Sequence, residues 1–177
     1  MLTIKELAEQ LTTAQLSESQ AYHRLKRLKT ADAIKPMARF NEGATSPWLY
    51  APYAPAIIKV LFHLYDMGIS EPDELKDMWE GLASPQGKSD KPRILEILED
   101  IRTGGQPKIV RCVFLAPDGH TITLSTVRLT DEYEKPIELS EALELPEGIE
   151  RSDYIVASDL VINADVLLSQ FIAGETH

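Results

Sequence analysis

Apolar positions recur at helical spacing through the first hundred residues and switch to a two-residue alternation near residue 108. Thr3-Ile4-Lys5-Glu6 has the spacing of a capping box, so a helix is expected to follow with Ile4, Leu7, Ala8 and Leu11 turned inward. Thr12 and Thr13 are β-branched and compete for backbone hydrogen bonds, which ends it. Ser17 with Gln20 repeats the capping-box spacing and opens a second helix. There Ala21, Leu25 and Leu28 make an apolar stripe, while Gln20, His23, Arg24 and Arg27 point elsewhere. Two short helices joined by a polar turn predict a helix-turn-helix. Ala33-Ile34-Lys35-Pro36 then reads as the start of a strand, because the residue before proline avoids helical geometry. Asn41, Gly43, Ser46 and Pro47 mark a turn, and Trp48-Leu49-Tyr50 returns as a second short strand. A hairpin in that place is a wing.

Pro55 suits the first turn of a further helix with a wide apolar face, which includes Ile57, Ile58, Leu61, Phe62, Leu64 and Tyr65. Gly68 is placed to end it in a left-handed cap. Ser70-Glu71-Pro72-Asp73 offers an N-cap and an acidic first turn to the next helix, with Leu75, Met78, Trp79 and Leu82 as its buried stripe. Residues 83–92 have linker composition. Ile94, Leu95, Ile97, Leu98 and Ile101 follow at helical spacing and stop at Gly104-Gly105. Lys108 to Leu115 reads as a strand, Pro117-Asp118-Gly119 as a turn and Thr121 to Leu129 as the returning strand. Asp131 to Glu150 is acidic and broken by prolines, so it reads as loop with room for a short helix at 140–145. Tyr154-Ile155-Val156 suggests one more strand, and Ala164 to Ala173 a closing helix. The expected fold class is α+β, with a winged helix-turn-helix domain at 1–82, a linker at 83–92 and a small acidic domain at 93–177 built on a β-hairpin with flanking helices.

Composition adds boundaries to this picture. At 177 residues and 44% hydrophobic content the chain is long enough for a substantial core. No apolar run is long enough to span a bilayer and the N-terminal segment is polar and amphipathic, so a cytoplasmic location is expected, away from membranes. Cys112 is the single cysteine, which excludes an intramolecular disulfide and a multi-cysteine zinc site. The net charge of −10 hides an asymmetry. Residues 1–65 hold eight Lys or Arg against five Asp or Glu, whereas residues 66–177 hold ten against twenty-three. A polyanion would be attracted to the first part and repelled by the second.

The order of helix, turn, basic helix and wing, followed by a helix that runs into Asp66-Met67-Gly68-Ile69-Ser70, resembles the DNA-binding domain of MerR-type winged helix-turn-helix proteins. The resemblance covers residues 1–82 and rests on Thr3 to Ala8, on Leu49-Tyr50 at the close of the wing and on Leu64 to Ser70. Trp48 stands where the family carries arginine. The long dimerisation helix and the metal-binding cysteines of the metal-sensing members are absent, so the resemblance implies the fold and DNA contact but not metal sensing. Phage excisionases and the small subunits of DNA-packaging terminases are similar to the same module.

Candidate DNA contacts are Gln20, His23, Arg24 and Arg27 on the second helix, with Ser17 and Ser19 at its first turn. Arginine can grip guanine with two hydrogen bonds, and glutamine can do the same to adenine. Lys26 and Lys35 suit phosphate, as do Arg39, Asn41 and Thr45 in the hairpin. Tyr22 is expected to pack under the wing. For an enzyme there is little: the four histidines show no metal-ligand spacing, and neither a phosphate-binding glycine loop nor a nucleophile elbow is present. Catalytic, metal and cofactor sites are therefore not expected. The leading expectation is a sequence-specific protein that binds double-stranded DNA as a homodimer and regulates transcription. The acidic domain would dimerise, or receive a protein partner or a small-molecule effector. Other readings are an interaction adaptor and a phage-type packaging or excision accessory protein.

Overall fold

A computed structural model describes residues 1–42, 46–86, 89–130, 148 and 150–172. Thr3 sets up the start of the chain in two ways. Its backbone pairs with Leu49, making Leu2–Thr3 a short strand, β1, on the edge of a three-stranded antiparallel sheet. Its side chain also caps helix α1 (Ile4–Gln10): the Glu6 N–H donates to Thr3 Oγ1 at 3.3 Å, and the Thr3 N–H donates back to the Glu6 carboxylate at 2.7 Å. That hydrogen bond, with a second from the Thr3 hydroxyl, holds the Glu6 carboxyl below its ordinary range. Helix α2 (Glu18–Thr30) opens with the same device, Ser17 and Gln20 exchanging hydrogen bonds. Both capping boxes form as the sequence spacing predicts. β1 was not anticipated, since two residues carry no periodicity.

Helix α2 stops at Ala31, with Asp32 in the left-handed region at φ 55°. The Asp32 N–H donates to Lys29 and the Ala33 N–H to Leu28, the paired bonds of a Schellman ending. This explains why Ala33 and Ile34 are buried without being in a strand as expected: they are the apolar stop of the helix. The strand begins later, as β2 (Ala38–Arg39), which pairs with β3 (Trp48–Tyr50) to complete the sheet in the order β1-β3-β2.

Helix α3 (Ala54–Asp66) buries Ile57, Ile58, Leu61 and Leu64 and ends at Gly68, which takes φ 89° as predicted. Helix α4 (Pro72–Ala83) buries the expected stripe of Leu75, Met78, Trp79 and Leu82. Its N-cap is Glu71 rather than Ser70, because Pro72 occupies the first helical position, where its missing N–H costs nothing. The ends of the stretch after α4 meet: Pro85 bridges Pro92, and the Arg93 N–H donates to the Ser84 carbonyl at 3.0 Å. Helix α5 (Arg93–Arg102) begins there, with Arg93 buried and paired to Glu96 at 2.8 Å. Burial pushes the Glu96 carboxyl up, but hydrogen bonds from Ser89 and Arg93 outweigh it and leave the group below its ordinary range.

The chain divides into two compact units, Met1–Glu96 and Ile97–His177. In the second, β4 (Lys108–Leu115) lies between β5 (Thr121–Arg128) and β6 (Ile155–Asn163), all antiparallel. The expected β4–β5 hairpin turns at Gly119, φ 86°, with the His120 N–H on the Asp118 carboxylate. Val110, Cys112 and Phe114 alternate into a cluster with Ala116 and Tyr154, against which Ile122 and Leu124 pack. Burial there pushes the Cys112 thiol up, and Cys112 serves as a small apolar residue of the sheet core. β6 is longer than the three residues anticipated. The closing helix α6 is shorter, Ala164–Leu168 followed by a 3-10 turn over Ser169–Phe171. The expected short helix at 140–145 lies outside the described residues.

Candidate functional site

Helix α2 turns Ala21, Leu25 and Leu28 to the core, and the face opposite them presents Ser19, His23, Lys26 and Thr30, all exposed, with Arg27 beside them. The ten described sequence candidates on or next to this helix and hairpin divide into uncommitted groups and groups already held by the protein. His23, Lys26 and Arg27 have no carboxylate partner among the described residues. With Thr30 and Ala31 they line a surface hollow of 440 Å³. The Lys26 ammonium stands 4.9 Å from the Tyr22 ring centroid, and Tyr22 meets the His23 ring edge-on at 6.2 Å.

Arg24 sits at the margin of the buried face and reaches α3 instead. Its guanidinium pairs with Asp66 at 2.8 Å and lies 5.5 Å from the Phe62 ring centroid. Gln20 turns its side-chain oxygen back to the Ser17 N–H at 2.9 Å and to the Ser17 hydroxyl at 3.1 Å. Ser17 and Gln20 thus form the cap, and base reading by Gln20 would require that cap to open. Lys35 is paired with Glu80 of α4, which raises the lysine and lowers the carboxylate, each chiefly through their hydrogen bond.

On the hairpin, Arg39 is placed by register opposite Trp48, with its guanidinium 4.1 Å from the ring centroid; the Lys29 ammonium stands 6.0 Å from the same ring. So Trp48 gathers two cations beside it. Asn41 is exposed and its N–H donates to Ser46 Oγ at 2.6 Å, closing the strand end. Thr45 lies outside the described residues.

Between the first turn of α2 and the hairpin runs a groove of 840 Å³ lined by Thr3, Ile4, Lys5, Ser17, Glu18, Ser19, Tyr22 and Pro47. Lys5, exposed to one side of the buried Leu7, Ala8 and Leu11 face of α1, is a cation of this groove that the sequence reading did not include, because its place in the capping motif gave it no other role. Tyr22 is half-buried along this groove rather than sealed beneath the hairpin. Among the described residues no group of three or more His, Cys, Asp or Glu is placed to hold a metal ion, and no helix is long and apolar enough to cross a membrane. No protein-family model, curated protein or solved structure matches this chain.

Proposed function

We propose that the protein binds double-stranded DNA in a sequence-specific manner through a MerR-like winged helix-turn-helix. In this reading α2 is the recognition helix, the β2–β3 hairpin is the wing, and the protein is a cytoplasmic transcriptional regulator. The observation that carries it is the set of side chains on the outer face of α2: Ser19, His23, Lys26 and Arg27 are exposed on a helix whose opposite face is fully engaged in the core. Arg27 and His23 are the base readers, and Lys26, Lys5 and Arg39 meet phosphates. One such module covers few base pairs, so a homodimer on repeated half-sites supplies the remaining affinity.

Selection of duplexes from a random pool, followed by titration at rising salt, tests the reading. The protein is expected to enrich a defined sequence, and its affinity to fall with salt by about 0.9 in log–log slope for each phosphate contacted. Failure to retain any duplex at low salt would remove DNA as the partner. The mixed lining of the 840 Å³ groove, with Ile4, Tyr22 and Pro47 beside Lys5, favours an adaptor that docks a peptide there as the second reading. A packaging or excision role would appear as selection of a packaging or attachment sequence.

A further inference from the structure

We propose that Trp48 is a positioning residue: its indole ring gathers one cation from helix α2 and one from the hairpin, Lys29 and Arg39, and presents both to the same stretch of phosphate backbone. The inference rests on the DNA-binding reading and deepens it, by giving a task to a side chain that carries no charge of its own.

Trp48 opens β3 and stands directly opposite Arg39 of β2 in the antiparallel register. Residues paired in this way project from the same face of a sheet, and the Arg39 guanidinium accordingly lies over the ring, 4.1 Å from its centroid. Lys29 comes from a different element. It belongs to the last turn of α2, and its ammonium is 6.0 Å from the same centroid. Two like charges brought to one place repel, and unaided they would swing apart into water. The negative face of the ring attracts each of them and offsets that repulsion. Lys29 has no carboxylate partner among the described residues. A carboxylate would have held the lysine at the cost of its charge, whereas a ring holds it with the charge intact. Trp48 is half-buried and both cations are exposed, so an anion can reach them. The partner that fits is one with closely spaced negative charges, and a duplex carries one for about every 1.7 Å of its axis. A phosphate arriving there also relieves the repulsion between the two cations.

The test uses the full chain, a duplex that it has itself enriched from a random pool and a scrambled duplex of equal length. Trp48→Leu should weaken both by the same factor, about ten-fold, and flatten the log–log salt slope by about 0.9 for each cation released. Trp48→Phe keeps a π-face and should stay within about two-fold of the wild type. A double-mutant cycle separates positioning from mere support of the hairpin. With Lys29→Gln and Arg39→Gln already in place, adding Trp48→Leu should change affinity by less than about two-fold, since no cation remains to be placed. Fluorinated tryptophan incorporated into a Trp79→Phe chain keeps the shape of the ring and drains its π-face, so affinity should fall stepwise with fluorine number even where Trp48→Leu does not fold. Wild-type affinity in Trp48→Leu, the same loss from Trp48→Leu with and without the two cations, or no response to fluorination would overturn the role of Trp48 and leave DNA binding standing. Failure to retain any duplex at low salt would bring down the DNA reading and this role together.

Discussion

Arg24 and Arg27 stand three residues apart on one helix and do different work. Arg27 faces out, and if it reads a base, Arg27→Ala should weaken specific duplex binding by about 1–3 kcal/mol with no change in unfolding temperature. Arg24 is held by Asp66 and Phe62, so Arg24→Ala is expected to act on stability. The pair is 35% and 55% exposed, so screening by water limits the loss to about 0.5–1 kcal/mol in urea unfolding. A variant that keeps full stability but loses binding would return Arg24 to the recognition set. Tyr50 gives a separate test. It is fully buried, and its hydroxyl finds no partner among the described residues. Tyr50→Phe removes an unsatisfied polar atom and keeps the ring, so thermal unfolding should show a gain of about 1 kcal/mol.

Three helices end in the same way, α2 at Asp32, α3 at Gly68 and α5 at Gly104, each with a positive φ. Only Asp32 has a side chain there, so Asp32→Gly is expected to stabilise the protein and Gly68→Ala to destabilise it, each by about 1 kcal/mol in chemical denaturation. Gly105 is constrained by space instead. A Cβ there would lie 2.3 Å from Asp100 Oδ1 and 2.6 Å from Thr130 Oγ1, and the Asp100 carboxylate is the acceptor for the Thr130 N–H at 3.0 Å and its hydroxyl at 2.8 Å. Gly105→Ala should therefore cost about 2 kcal/mol, seen as a lower unfolding temperature. What the sequence made legible was local: the two capping boxes, Gly68, the α4 stripe and the β4–β5 hairpin each depend on residues a few positions apart. What it hid was distant or very short. The partners of Arg24 and Lys35 lie 42 and 45 positions away, beyond any spacing rule, and β1 exists only because Leu49 and Tyr50 come back to pair with it. Hence the helix with the candidate contacts could be picked out, while the division of labour on it could not.

Across the molecule, paired carboxylates tie stability to pH. Glu6, Glu80 and Glu96 are all held below their ordinary carboxylate range. A lowered folded pKa means stability that is present at neutral pH and lost as pH falls through that value, so the first unit should weaken as pH drops below about 4. Urea midpoints measured at pH 7 and pH 3 check this, and an equal midpoint at both would count against these contacts. Lys35, raised by the same pair that lowers Glu80, gives up its share only at strongly alkaline pH. The two tryptophans are also unequally placed: Trp79 is 5% exposed in the core of the first unit, whereas Trp48 lies on the hairpin with Arg39 and Lys29 beside its ring. The chain thus carries two native optical reporters. Emission from Trp79 should track unfolding, and emission from Trp48 should change when anything settles on the hairpin, so a Trp79→Phe variant would let ligand capture be followed without any added dye.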